Sequence, residues 1–103
     1  MNRITVVCED DAINAQARTY AEYRVFAALA RHSGNVRRVR VVLRQMDAGE
    51  TCDKVECAVT VTLEPSGELS LRSTAPRVYA AINRAVERLG RALGRRVEQR
   101  LSS

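Results

Sequence analysis

Hydrophobic and polar residues alternate along the middle of the chain, which is the pattern of β-strands with one buried face. The alternation is clearest from Lys54 to Glu64, where Val and Leu at the odd positions alternate with Thr and Glu at the even positions. Val36 to Met46 alternates in the same way, with arginines on its polar side. Glu68 to Ser73 follows the turn Pro65-Ser66-Gly67 and is predicted to return antiparallel as a hairpin partner. Arg3 to Cys8, a short β-branched run, predicts a further strand.

Helical spacing of apolar residues predicts a first helix from Ala12 to about His32. Asp11 or Asn14 can cap its first turn, because a short side-chain acceptor satisfies the free N–H groups. Ser33-Gly34-Asn35 suits a left-handed cap at the other end.

The last quarter of the chain, Ala75 to Leu101, predicts a second helix with two stripes. Thr74 is its candidate cap, and Pro76 lies in its first turn. Apolar residues recur at steps of three and four and predict a buried face: Ile82, Val86, Leu89, Leu93 and Val97. Arginines recur at the same steps, centred about 180° around the helix: Arg77, Arg84, Arg88, Arg91 and Arg95. Such a row, fixed to a core by the opposite helix face, is a candidate phosphate-binding surface.

The order strand, helix, three strands, helix predicts an α+β fold. Its economical form is a four-stranded sheet with both helices packed on one face, since no repeat, low-complexity segment or linker interrupts the chain. At this length we expect residues 1–103 to form one domain.

The charge of the chain is concentrated at its end. The net charge is +5, and residues 65–103 carry all of it, with eight basic residues against three acidic ones. Sixteen of the seventeen basic residues are Arg, whose forked guanidinium suits phosphate. A solvated helix face is the alternative interpretation, but such faces normally mix charges, whereas Arg84, Arg88 and Arg91 neighbour one another. For Arg38 and Arg40 the alternative is surface pairing with Glu56 and Glu64.

Several classes of function are not indicated. No apolar run is long enough to span a membrane, and the start of the chain lacks the apolar region of a signal peptide, so we expect a cytoplasmic protein without a membrane partner. Cys8, Cys52 and Cys57 with His32 lack metal-ligand spacing; Cys8 and Cys57 fit better as small buried residues. Nothing places a general base near Cys52, and no phosphate-binding glycine pattern occurs. We therefore expect no enzyme, metal, cofactor or small-molecule substrate.

Three sequence matches give the chain a family resemblance. Val78 to Asn83 reads Val-Tyr-Ala-Ala-Ile-Asn and leads into the basic helix, which resembles the ribosome hibernation-promoting factors, also called ribosome-associated inhibitors. The Arg-rich strand from Val36 to Leu43 is a second match. Asp53-Lys54-x-x-Cys57 is similar to a subgroup of single-domain members.

The resemblance implies a β-α-β-β-β-α protein that binds the small ribosomal subunit. Such a protein occupies the channel of mRNA and tRNA and silences idle ribosomes, as part of a stress response. Tyr79 and Ile82 would serve the core. Because the chain stops after the second helix, we expect no C-terminal dimerisation domain of the long members. The residues implied to contact rRNA are Arg84, Arg88, Arg91 and Arg95, with Arg38, Arg40 and Lys54.

Two other functions stay open from the sequence. One is a protein-interaction module that docks an acidic partner or dimerises through its sheet. The other is a generic binder of double-stranded RNA, since three strands between two helices also occur in such domains. The sequence does not indicate an oligomeric state.

Overall fold

A computed structural model of the protein confirms the predicted β-α-β-β-β-α order and the α+β fold. It describes residues 3–9, 13–30, 36–47, 53–63 and 67–102. The elements are β1 (Arg3–Cys8), α1 (Ala15–Ala30), β2 (Val36–Asp47), β3 (Asp53–Leu63), β4 (Glu68–Ala75) and α2 (Val78–Ser102).

The four strands form one mixed sheet in the order β1-β2-β3-β4. β1 runs parallel to β2, because α1 connects them as a crossover, while β2, β3 and β4 pair antiparallel. The β3–β4 hairpin is closed by the Leu63 amide, which donates to the Gly67 carbonyl at 2.9 Å. Gly67 has a φ of 119°, a conformation that side chains disfavour. The predicted hairpin is confirmed, and β1 and β4 are the edges of the sheet.

One face of the sheet packs against both helices. The predicted apolar parity is confirmed, since Val39, Val41 and Leu43 of β2 are fully buried. The aliphatic core also takes residues from β1, β3 and β4 and from the two helices: Val6, Val59, Val61, Ala75, Val25, Leu29, Ile82, Leu89 and Leu93. Neither of the two described helices packs on the opposite face, so polar side chains of the strands are exposed there. This one-sided burial positions the candidate site.

The first helix begins later than predicted. Ile13 and Asn14 are not helical, and the Asn14 Oδ1 accepts a hydrogen bond of 2.8 Å from the Ala17 amide. Asn14 is thus the N-cap, one of the two predicted candidates. The other candidate, Asp11, and the predicted cap around Gly34 lie outside the described residues.

The start of the second helix was predicted wrongly. Thr74 and Ala75 belong to β4, where they pair with Glu56 and Val55 of β3. The strand therefore continues to the residue before Pro76, and α2 begins only at Val78. Thr74 cannot cap the helix, because it lies within β4, four residues before α2 begins. Neither helix, within the ranges given above, is long and apolar enough to cross a membrane.

The buried Cys57 thiol is a core group, as its strand parity predicts. It is 1% exposed on β3. Burial, with a smaller contribution from the neighbouring charge of Glu56, raises the pKa of Cys57 from 9.0 to about 12. The thiol is therefore protonated at neutral pH and unsuited to nucleophilic chemistry.

Replacing Asn14 with Ala should lower the free energy of unfolding by about 1 kcal/mol, because the first turn of α1 loses its side-chain acceptor. Urea denaturation followed by circular dichroism measures this change. Gln16→Ala, an exposed substitution in the same turn, is the matched control and should change stability by less than about 0.5 kcal/mol. Equal effects of both substitutions would contradict the capping role.

The raised pKa of Cys57 predicts a pH dependence of stability. The folded state holds this proton more tightly than the unfolded chain, so its stabilising contribution is complete below pH 9.0 and is lost as the pH rises towards about 12. The difference in unfolding free energy between the wild type and Cys57→Ala should therefore shrink over this range in urea titrations. A constant difference would contradict the shift.

Candidate nucleic-acid interface

The arginine row of α2 lies along the edge strand β4. The Nη1 of Arg84 donates to the Thr74 carbonyl at 2.9 Å, and the Nη1 of Arg88 donates to the Arg72 carbonyl at 2.8 Å. Both guanidinium groups are exposed, and both carbonyls point outwards from the edge of β4 that has no partner strand. These bonds fix the direction of the two side chains while leaving their other donors open to solvent.

The rest of the row continues this arrangement towards the start of β4. Arg88, Arg91 and Arg95 line a groove of about 240 Å³ whose other wall is Leu69 to Leu71. Arg91 also pairs with Glu87 at 3.8 Å, one helical turn away. The row therefore lies on the flank of α2 next to β4, whereas the sequence placed it directly opposite the buried face. The term "arginine flank" is used below for Arg84, Arg88, Arg91 and Arg95.

Arg77 is not part of the helical row. It is exposed, but it precedes Val78, and its carbonyl accepts the Ala81 amide at 3.0 Å as the chain enters the helix. The prediction that Arg77 lies on the helix surface is therefore wrong. Because β4 extends to Ala75, α2 begins only after Arg77.

A second group of cations lies on the helix-free face of the sheet. The predicted residues Arg38, Arg40 and Lys54 are exposed there. Arg44 on β2 and Arg72 on β4 are exposed on the same face, because they share the parity of these residues. The term "open-face cluster" is used below for Arg38, Arg40, Arg44, Lys54 and Arg72. Arg72 was missed from the sequence, although the alternation of Glu68 to Ser73 places it on the polar side.

Glu56 lies at the centre of the open-face cluster. Its carboxylate pairs with Arg44 at 3.8 Å and with Arg72 at 4.0 Å, and its side chain is only 11% exposed beneath them. Arg38 and Arg40 instead lie opposite Thr62 and Thr60 of β3. The alternative pairing of Arg38 and Arg40 with Glu56 is therefore wrong, and Glu64 lies outside the described residues. Both arginines present their charge to solvent.

The two cationic groups meet at β4. The main chain of Arg72 accepts the hydrogen bond from Arg88, and its side chain reaches Glu56 on the open face. The arginine flank and the open-face cluster therefore lie on either side of the β4 edge.

Arg24 of α1 is a further cation that the sequence did not indicate. It lines a groove between the helices, with Glu87, Gly90 and Arg91 of α2 on the other side. Its Nε is buried and has no hydrogen-bond partner among the described residues. The sequence pattern that could have identified Arg24 is its spacing: it lies four residues after Tyr20 and four before Ala28, within the predicted apolar stripe.

Gly90 and Gly94 of α2 do not serve close helix packing, because a Cβ at either position would meet nothing within 4 Å.

The tyrosine motif at the start of α2 connects the elements that hold the site. Tyr79 packs edge-on against Tyr20 of α1, with ring centroids 5.1 Å apart. The Tyr20 hydroxyl donates to the Asn83 Oδ1 at 2.6 Å, and the Ser73 hydroxyl donates to the Ala81 carbonyl at the same distance. Ile82 is 1% exposed, as expected of a core residue, whereas Tyr79 is 40% exposed and serves a helix–helix contact at the surface. The motif thus fixes α2 to both α1 and β4.

Metal-ligand groups do not assemble in the described ranges, where no cluster of three His, Cys, Asp or Glu occurs. Cys8 is half-buried and packs against the core, which agrees with its predicted role as a small apolar residue. Cys52 and His32 lie outside those ranges.

Comparisons with known proteins agree with this architecture. Residues 4–101 match the family model described as sigma 54 modulation protein / S30EA ribosomal protein. The N-terminal domain of Protein Y from Thermus thermophilus is 28% identical, with a TM-score of 0.71, over 92% of this chain and 98% of that one. A ribosomal subunit interface protein from Coxiella burnetii is 11% identical, with a TM-score of 0.77 over 93% and 98% of the two chains, and shows the shared fold. No curated protein matches the chain.

The family match covers nearly the whole chain, and the tyrosine motif and the element order on which the resemblance was based are both in place in the structure. The resemblance to the hibernation-promoting factors is thereby confirmed. The chain belongs to the sigma 54 modulation protein / S30EA ribosomal protein family, a family of ribosome-associated proteins.

Proposed function

We propose that the chain binds rRNA of the small ribosomal subunit through the arginine flank and the open-face cluster. In this position it blocks the path of mRNA and tRNA in idle ribosomes. It acts in the cytoplasm as a translation regulator under stress, with residues 1–103 forming one ribosome-binding domain. No chemical step is involved, because occupying the channel is sufficient.

The observation that carries the proposal is the anchoring of Arg84 and Arg88 on the β4 edge. A guanidinium group has five N–H donors, and a carbonyl at 2.8–2.9 Å occupies only one of them. The remaining donors are available to phosphate oxygens, which accept paired N–H groups. Because each side chain is already oriented, phosphate binding costs less side-chain entropy than it would for a free arginine.

The open-face cluster supplies the second side of the proposed contact. Glu56 holds Arg44 and Arg72 close to the sheet, while Arg38 and Arg40 extend without an acidic partner among the described residues. The excess of cations favours a polyanion over an acidic protein side chain, since phosphates recur along an RNA backbone. The Protein Y relative, with 28% identity, supports the ribosome as the source of that RNA.

Replacing Arg88, Arg91 and Arg95 with Gln should abolish cosedimentation with small ribosomal subunits at physiological salt. The three side chains line one groove, so their loss removes neighbouring phosphate contacts. The dependence of log K on log salt should become shallower by roughly 2–3, at about 0.7–0.9 per phosphate contact. Arg88→Gln also removes the bond to β4, and thermal unfolding of the triple variant should stay cooperative.

The matched control carries the same charge change on α1: Gln16→Glu, Arg18→Gln and Ala30→Glu, all at exposed positions. This control should still bind the small subunit. Unchanged binding of the first variant, or equal loss in both, would contradict a site on the arginine flank. Full competition by bulk duplex RNA would instead favour the generic RNA binder.

Replacing Arg38 and Arg40 with Gln should weaken subunit binding and reduce the salt slope by roughly 1.4–1.8, from about two phosphate contacts. Stability should change by less than about 0.5 kcal/mol, because both side chains are exposed. Titration of subunits with a fluorescently labelled chain at several salt concentrations measures the slope. An unchanged slope would exclude the open-face cluster from the interface while leaving the arginine flank in place.

A further inference from the structure

The two edges of the sheet differ in whether side chains bond to their outward main-chain groups. At β4, the arginine side chains of α2 cover free carbonyl groups. At β1, none of the side-chain hydrogen bonds formed by the described residues reaches the outer edge. The Glu9 amide donates to the Leu43 carbonyl at 3.0 Å, so the odd-numbered residues of β1 bond to β2. By alternation, the main-chain groups of Ile4, Val6 and Cys8 point outwards, and an uncovered row of this kind is a template for strand pairing.

Exposed aromatic side chains lie beside this free edge. Tyr23 is 69% exposed and Phe26 is 61% exposed, both on α1. They line a groove of about 350 Å³ together with Thr19 and Glu22 of α1 and with Ile4 of β1. The chain has only four aromatic residues, so two large rings in solvent next to the outer edge of a strand are an unusual use of them.

The charge of the groove indicates which kind of partner can bind there. Among the residues that line the groove, Glu22 is the single charged one. A surface with one acid and no cation does not attract RNA phosphates. Two copies of a chain with net charge +5 repel each other less when this groove is the contact than when the arginine flank or the open-face cluster is. In an interface with two-fold symmetry, each copy contributes the same surface, here the outer edge of β1 and the apolar flank of α1.

We propose that β1 and the outer flank of α1 form a self-association surface, on which a second copy of this chain docks by antiparallel pairing of the two β1 strands. A register centred on Val6 places Ile4 opposite the partner's Cys8 and allows about six main-chain hydrogen bonds. It also keeps the α1 helices of both copies on the same side of the joined sheet. Phe26 and Tyr23 are then covered between them.

The arrangement goes beyond the proposed rRNA contact and does not compete with it. The arginine flank lies at the other edge of the sheet, and the open-face cluster lies on the face opposite α1, so pairing along the β1 edge leaves both surfaces of each copy exposed. Two rings and one short strand per copy form a small interface, which is typical of weak association in the micromolar range.

Sedimentation equilibrium of the whole chain over a range of micromolar concentrations tests the proposal without ribosomes. The wild type should shift from monomer to dimer with rising concentration. Phe26→Glu should weaken dimerisation by more than about tenfold, because it places an unpaired charge in an apolar contact. Ala27→Glu is the matched control, since it adds the same charge at the next exposed position but on the side of α1 that faces α2, and it should dimerise like the wild type.

Amide hydrogen exchange supplies an independent reading of the register. The amides of Ile4 and Val6 should exchange more slowly at dimeric than at monomeric concentrations, and Phe26→Glu should remove this difference. A wild type that stays monomeric throughout would overturn the proposal. Dimers that persist in Phe26→Glu, or that leave both amides unprotected, would overturn it equally. Subunit binding by Phe26→Glu should be unaffected, so failure here is distinct from failure of the rRNA proposal.

Discussion

Burial of a single face of the sheet governs the structure of this chain. Alternate residues of the strands are apolar on one side, and both helices must cover that side to remove it from water. The polar parity is left open, and it contains the cations of β2, β3 and β4. The position of the open-face cluster therefore follows from core formation. A one-residue shift of register would turn Arg38 and Arg40 towards the core, so the charge pattern and the sheet register depend on each other.

The second determinant is the approach of α2 to β4. The helix is fixed by its apolar stripe, by the tyrosine motif and by the hydrogen bond from Ser73 to the Ala81 carbonyl. In that position Arg84 and Arg88 reach carbonyls that the sheet leaves unpaired. The same contacts protect the β4 edge from strand pairing and orient donors for an anion. Among the described residues, no side chain bonds to the β1 edge in this way. We therefore propose different partners for the two edges: a polyanion at β4 and a second copy of the chain at β1.

Much of the fold could be predicted because periodicity directly reports burial. The strand parities of Val39 and Cys57 and the order of elements follow from spacing alone. So do the buried residues Ile82, Val86, Leu89 and Leu93 of α2, whereas the side chain of Val97, also predicted to be buried, is not among those described. The boundary between β4 and α2 could not be predicted in this way. Ala75 fits a strand or a helix equally well, and its pairing with Val55 is a tertiary contact that local sequence does not record.

The sequence could predict which residues form the candidate site, but not where their side chains point or which residues they contact. Helical spacing identified Arg84, Arg88, Arg91 and Arg95 as neighbours, but their lean towards β4 depends on where the helix packs. The partners of Glu56 depend on a diagonal contact with Arg72 from a different strand. Arg24 was hidden because its position falls within an apolar stripe.

A cryo-EM density map of the chain bound to small ribosomal subunits would show the proposed contact itself. We expect density in the channel of mRNA and tRNA, with rRNA phosphates within hydrogen-bond distance of the arginine flank and of Arg38 or Arg40. We also expect the groove formed by Ile4, Tyr23 and Phe26 to lie away from the RNA. Density outside this channel, or a complex in which β1 and Phe26 contact rRNA while the arginine flank faces solvent, would contradict the proposed contact.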